Sequence, residues 1–181
     1  MPRLPEILDR NALPEDKRDI YDYLAGSRGS VRLPFSAVLN APEVCRRVSN
    51  LGGYIRFESS LPNSVMELAT ITVAREFNSA HEWAMHTGFA RDAGASEAAI
   101  EAVAHRRDTA GLPREESLPI RYARELLQDK KLSDATLEEA RELYGNQGVV
   151  ELSATVGYYA MMACLIATID IVPPENAPKL P

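Results

Sequence analysis

Ser64-Val-Met-Glu-Leu-Ala-Thr-Ile-Thr-Val-Ala-Arg-Glu-Phe-Asn-Ser-Ala-His-Glu-Trp-Ala-Met-His86 is the stretch from which the fold is read. Its apolar residues (Val65, Met66, Leu68, Ile71, Val73, Ala74) recur at helical spacing rather than alternating, and the pattern restarts after Ser79. Outward from it the same period persists, with prolines and glycines falling between periodic segments. The expected helices span about 14–26, 42–57, 62–78, 79–93, 96–106, 114–130, 134–144 and 147–170, with ends uncertain by ~2–4 residues. Pro42 and Pro62 stand where a first-turn proline is tolerated. Ser96 and Ser133 are placed to cap amino termini, Gly94 and Gly145 to close carboxyl termini in a left-handed conformation. The fold class is all-α.

A chain of 181 residues, 45% hydrophobic and 25% charged, has the composition of one globular domain. A single helical domain over 1–181 is expected, with its core at about 14–171. Arg107–Pro119 reads as a connection between two helical halves, too short to separate domains. Val65-Met-Glu-Leu-Ala-Thr is echoed by Val149-Val-Glu-Leu-Ser-Ala-Thr, which sets Glu67 and Glu151 in comparable positions of a weak repeat. Both ends are proline-rich and read either as frayed tails or as arms that pack on a neighbouring subunit.

Several functions are excluded or disfavoured. A formal charge of −6 with no basic stripe argues against a nucleic-acid partner. The two cysteines, Cys45 and Cys164, lie far apart without a CxxC, so neither a disulfide scaffold nor a zinc site is expected, and a cytoplasmic location fits. The amino terminus lacks the apolar run of a secretory signal. Leu152–Ile169 is uncharged and just long enough to span a bilayer, but Ser153, Thr155, Gly157 and Thr168 interrupt it and no Lys or Arg flanks it. It reads as a buried core helix, and no membrane partner is expected.

Of three histidines, His81 and His86 share one short window. At ~100° per residue Glu82 and His86 are i,i+4 neighbours on one helix face, whereas His81 and His86 diverge by ~140°. A carboxylate beside an imidazole raises its pKa and fixes its tautomer, as general acid/base work near neutral pH requires. His-Glu-x-x-x-His is one residue too long for the zinc-protease motif. No metal is expected, although Glu67, Glu82 and His86 could in principle hold one. A structural alternative stays open for Glu82, since Ser79-x-x-Glu82 has capping-box spacing. Glu67 shares its face with Ile71, Ala74 and Asn78. A carboxylate in apolar surroundings needs a partner, and the following histidines are at hand. His105 reads as a surface residue, and Trp83, Met85 and Phe89 as core.

These residues resemble the carboxymuconolactone decarboxylase and alkylhydroperoxidase-D-like superfamily, best from about Leu33 to Val103 and more weakly through the last helix. Its peroxidase branch carries a glutamate and, starting twelve positions later, Cys-x-His-Cys-x-x-x-His. Here the same spacing gives Glu67, then Ser79, His81, Glu82 and His86. Serine and glutamate stand where the two cysteines would be, so dithiol peroxide reduction is excluded at this site. The decarboxylase branch is similar in carrying His-Glu-x-x-x-His. The resemblance implies an antiparallel helical bundle assembled as a homo-oligomer, trimer or hexamer, with sites partly between subunits. It implies a cofactor-independent decarboxylase, or related lyase or isomerase, acting on a small carboxylated lactone or similar product of aromatic ring cleavage. Glu67, His81, Glu82 and His86 are then the expected catalytic residues, and Arg75 and Ser79 the expected contacts to an anionic substrate. The alternative is a non-catalytic helical oligomer or small-acid binder of the same fold.

Overall fold

The computed structural model describes residues 2–181. Their regular structure is helical, without a strand among the described residues, and they form two compact units.

The first unit runs to Glu58 and includes Cys164–Ile171. Short 3-10 turns at Arg10–Ala12 and Glu15–Lys17 precede α1 (Arg18–Arg28), α2 (Phe35–Val38) and α3 (Pro42–Phe57). Both α1 and α2 pack on α3. Pro42 opens α3, where its missing N–H costs nothing. The first helix differs from the periodic reading of 14–26. Glu15–Lys17 winds as a 3-10 turn instead, and the helix continues through Gly26 to Gly29, whose φ of +73° ends it. Helix α2, unforeseen in the sequence, is a single turn, too short to display a period. At Gly53 an added Cβ would lie 2.8 Å from the Tyr23 hydroxyl, the far end of an exposed side chain that would have to shift aside. The amino-terminal segment is not a frayed tail. Arg3 N–H donates to the Ile169 carbonyl at 2.7 Å and Ile7 N–H to that of Ser36 at 2.8 Å, while the Asn40 amide donates to the Pro5 carbonyl at 2.7 Å.

The second unit comprises Ser59–Ala163 and Val172–Pro181. It holds α4 (Asn63–Glu76), α5 (Ala80–Asp92), α6 (Glu97–Ala104), α7 (Arg114–Arg124) with a π-helical turn at Glu125–Asp129, and α8 (Asp134–Ile169) as far as Ala163. Every residue of α4 from Val65 to Ala74 is buried. This is therefore the central helix, packed against α5, α6 and α7. Leu68 and Ile71 meet Trp83, Ile100, Val103 and Ile120 in one apolar cluster, each such side chain contributing ~1.5–3 kcal/mol by leaving water. Leu180 packs on this cluster, so the carboxyl-terminal tail folds onto its own chain.

Local chemistry sets the helix ends. Ser96 Oγ accepts from the Ala99 N–H at 3.1 Å and Ser133 Oγ from that of Thr136 at 3.2 Å, as caps should. Pro62 lies one residue outside α4, not in its first turn. Buried Glu151 accepts from Ser59 Oγ, from both Ser60 N–H and Oγ, and from the Gln147 amide, all within 2.9 Å, which ties the approach to α4 onto α8. The expected helices 134–144 and 147–170 form one run interrupted at Gly145, with φ +66° and ψ −179°. Helix α8 is long and apolar enough to cross a membrane, but half of its most apolar window is buried inside the protein.

Candidate functional site

Helices α4 and α5 are joined by a turn of only three residues. Ser79 N–H reaches back to the Ala74 carbonyl at 2.8 Å and Asn78 N–H to that of Arg75 at 3.2 Å. Asn78 adopts φ +51°, a left-handed conformation that asparagine tolerates better than most side chains. The chain therefore reverses tightly, and the start of α5 lies along α4.

The reversal brings Glu67, Glu82 and His86 together. His86 Nδ1 lies 2.7 Å from Glu67 Oε2, and its Nε2 lies 3.2 Å from Glu82 Oε2. All three are buried, with 4–6% of each residue exposed. Burial alone would push the His86 pKa down. Hydrogen bonding to Glu67 and Glu82, with the negative charge of both, outweighs it and raises the pKa to about 9. At neutral pH the centre is therefore an imidazolium clamped between two carboxylates, linking α4 to α5. Phe89 and Tyr159 stand nearly perpendicular to the imidazole in T-shaped contacts, with centroids 5.6 and 4.8 Å away.

The capping-box alternative for Glu82 is corrected: no side chain caps α5, because the Glu82 carboxylate turns along the helix to His86. Ser79 Oγ, freed from that role, is buried without a hydrogen-bond partner. His81 stands apart from the triad, half-buried, its Nδ1 also buried and unpartnered. Burial lowers its pKa below 6.5, the Glu82 charge opposing this and the His86 charge adding to it, so His81 is neutral at pH 7.

Arg75 is not brought to this cluster. Its Nε donates to the Ala104 carbonyl at 2.6 Å and its Nη1 to Asn78 Oδ1 at 2.9 Å. The guanidinium thus closes the end of α6 and braces the α4–α5 turn, which is a positioning role rather than the expected substrate contact. Trp83 is core as expected, whereas Met85 and Phe89 are 38% and 37% exposed. They continue the His81 edge of α5 at i,i+4 steps. His105 is a surface residue, 3.3 Å from Glu101. Tyr159 is not among the expected site residues, and the return of α8 brings its ring to His86.

Comparison with known proteins sets this geometry in context. Residues 42–129 match the model of the carboxymuconolactone decarboxylase family. No curated relative matches. The fold is similar to the alkylhydroperoxidase AhpD core of a peroxidase-related protein from Ralstonia eutropha JMP134, at TM-score 0.76 and 17% identity, over 96% of this chain and 93% of that one. It is also similar to a peroxidase-related protein from Silicibacter sp. TM1040, at TM-score 0.73 and 14% identity, over 96% and 94%. At such identities the likeness is one of fold.

Proposed function

From the match of residues 42–129 to the carboxymuconolactone decarboxylase family we propose that the chain is a member of it and a cofactor-independent decarboxylase or related lyase or isomerase of small carboxylated lactones. The observation that carries this reading is the buried Glu67–His86–Glu82 triad beside a neutral, unpartnered His81. Loss of carbon dioxide from a carboxylate conjugated to a lactone carbonyl leaves an enolate. The reaction then needs a proton for carbon and polar support for oxygen. Glu67 orients the imidazole through Nδ1. His86, charged at neutral pH, stores the proton, and Glu82 at Nε2 governs its release. The half-exposed edge of α5 bearing His81, Met85 and Phe89 is the side from which a small planar ring approaches. Although the structural neighbours are named peroxidase-related, Ser79 and Glu82 offer no thiol and the two free cysteines lie elsewhere. The same reading carries assembly into a homo-oligomer, trimer or hexamer, supported by Val150 and Met161 exposed on α8.

The test is turnover of a panel of carboxylated lactones, followed by ultraviolet absorbance. His86→Gln is expected to abolish it while far-ultraviolet circular dichroism remains helical. Since that variant leaves two buried carboxylates unneutralised, Glu82→Gln is made in parallel; it keeps the length and polarity of the side chain and is expected to slow turnover at least tenfold. Wild-type rates in both variants would refute the reading. One observation favours a second one: both His86 nitrogens are occupied by carboxylates, as a purely structural clamp would require. A non-catalytic small-acid binder of this fold would leave the absorbance of every lactone unchanged with time.

A further inference from the structure

Two carboxylates hold the His86 ring, and they hold it unequally. Nδ1 lies 2.7 Å from Glu67 Oε2, whereas Nε2 lies 3.2 Å from Glu82 Oε2. Hydrogen bonds keep most of their strength through about 30° of bending, and the last torsion of a histidine side chain is broad rather than confined to staggered wells. The carboxylates therefore fix where the nitrogens lie but leave the ring able to tip about the line that joins them. Tipping weakens the longer bond first, the one at Nε2.

Two aromatic rings meet the imidazole, and they differ in what they can resist. Phe89 stands three residues further along α5, with its centroid 5.6 Å away, and is 37% exposed. It moves with the helix that carries His86 and yields toward solvent. Tyr159 comes from α8, lies at 4.8 Å and 78°, is 3% exposed, and packs at 5.1 Å and 90° against the Tyr158 ring. A tilt of the imidazole would change its angle to this ring, and in a close-packed interior a ring so buried does not follow. We propose that Tyr159 is a positioning residue: its ring locks the tilt of the His86 imidazole, so that Nε2 stays aligned on the Glu82 carboxylate. Its effect on rate rests on the decarboxylase reading above; its effect on the imidazole rests on the packing alone. In that reading the proton is released at Nε2 under the control of Glu82. A displacement there of about 1 Å is enough to cost on the order of 100-fold in rate. Tyr159 touches no reacting atom and acts only through His86.

Tyr159→Leu removes the ring, and Tyr159→Phe keeps it without the hydroxyl. Tyr159→Met, whose flexible side chain fills the space without a flat face, is made beside Tyr159→Leu and carries the same expectation. Each is compared with wild type well below its melting temperature, by turnover of the carboxylated lactones and by titration of the His86 imidazole in nitrogen NMR, the resonance being assigned with His86→Gln. The titratable groups that face His86 are Glu67 from α4, Glu82 and His81 from α5, and the Tyr159 phenol from α8; Tyr159→Phe controls for the last. The two non-aromatic variants are expected to lower kcat about tenfold or more with KM unchanged within about twofold, since proton delivery is impaired rather than binding. Their His86 titration midpoint is expected to fall by about one unit, as a hydrogen bond to a charged group weakens. Tyr159→Phe is expected to match wild type in both. An unmoved midpoint in the non-aromatic variants overturns the proposal, because a merely structural tyrosine lowers the melting temperature without shifting a titration. Equal effects in Tyr159→Phe and Tyr159→Leu assign the role to the hydroxyl and overturn it too, as does wild-type turnover by Tyr159→Leu in a lactone-active protein. A midpoint that depends on the ring, in a protein turning over no lactone, upholds the lock on His86 and refutes only the reaction.

Discussion

His86 keeps its proton at neutral pH because two carboxylates face it, both as buried as the imidazole itself, and this couples the site to stability. Its folded pKa of about 9 lies above the ordinary 6.5. The protonated form is therefore favoured by folding, and its contribution is complete below pH 6.5 and is lost as pH rises through 9. Melting temperature measured from pH 6 to 10 is expected to fall across that window, and to fall less in Glu82→Gln, where one of the two charges that hold the proton is gone. A flat profile would show that His86 is not charged in the folded protein. The contrast with His81, five residues away, is one of neighbours. His81 has no hydrogen-bonded carboxylate and its pKa moves down with burial, which leaves one charged and one neutral imidazole at the same helix start.

Among the elements, the ends of helices carry more information than their middles. Ser96 both caps α6 and donates to Glu116 at 2.7 Å, so Ser96→Ala is expected to cost about 1–2 kcal/mol, read from denaturant midpoints. Gly145 interrupts α8 with φ +66° and ψ −179°, while nothing lies within 4 Å of an added Cβ. The penalty of Gly145→Ala is thus purely backbone strain, on the order of 1–3 kcal/mol, and unchanged stability would mean that the break relaxes into continuous helix. Arg75 belongs at this scale too. A residue eight positions after Glu67 looked available to a substrate, but the carbonyl at the end of α6 is a nearer acceptor for its guanidinium.

At the scale of the whole molecule, the proline-rich segments that cannot add helix still add contacts. Leu180 packs on the cluster of Leu68, Ile71, Trp83 and Ile120, so deleting Pro174–Pro181 is expected to lower the melting temperature and to speed proteolysis of the second unit. Equal resistance with and without the tail would show that this packing contributes nothing.

Sequence by itself determined the helices and one side of the triad. A period of ~3.6 is a local property, and Glu82 meets His86 because four residues on a helix return to the same face. The burial of Glu67 was legible in the same way, from the apolar residues around it. What only the tertiary structure decided is everything that depends on how one helix lies against another. Glu67 selects His86 over His81, Arg75 turns to α6, and Tyr159 closes over the imidazole from far along the chain. It also leaves Ser79 unbonded although its spacing fits a cap. Such contacts are fixed by crossing geometry and competition among acceptors, and neither is encoded in the spacing of residues along a single helix.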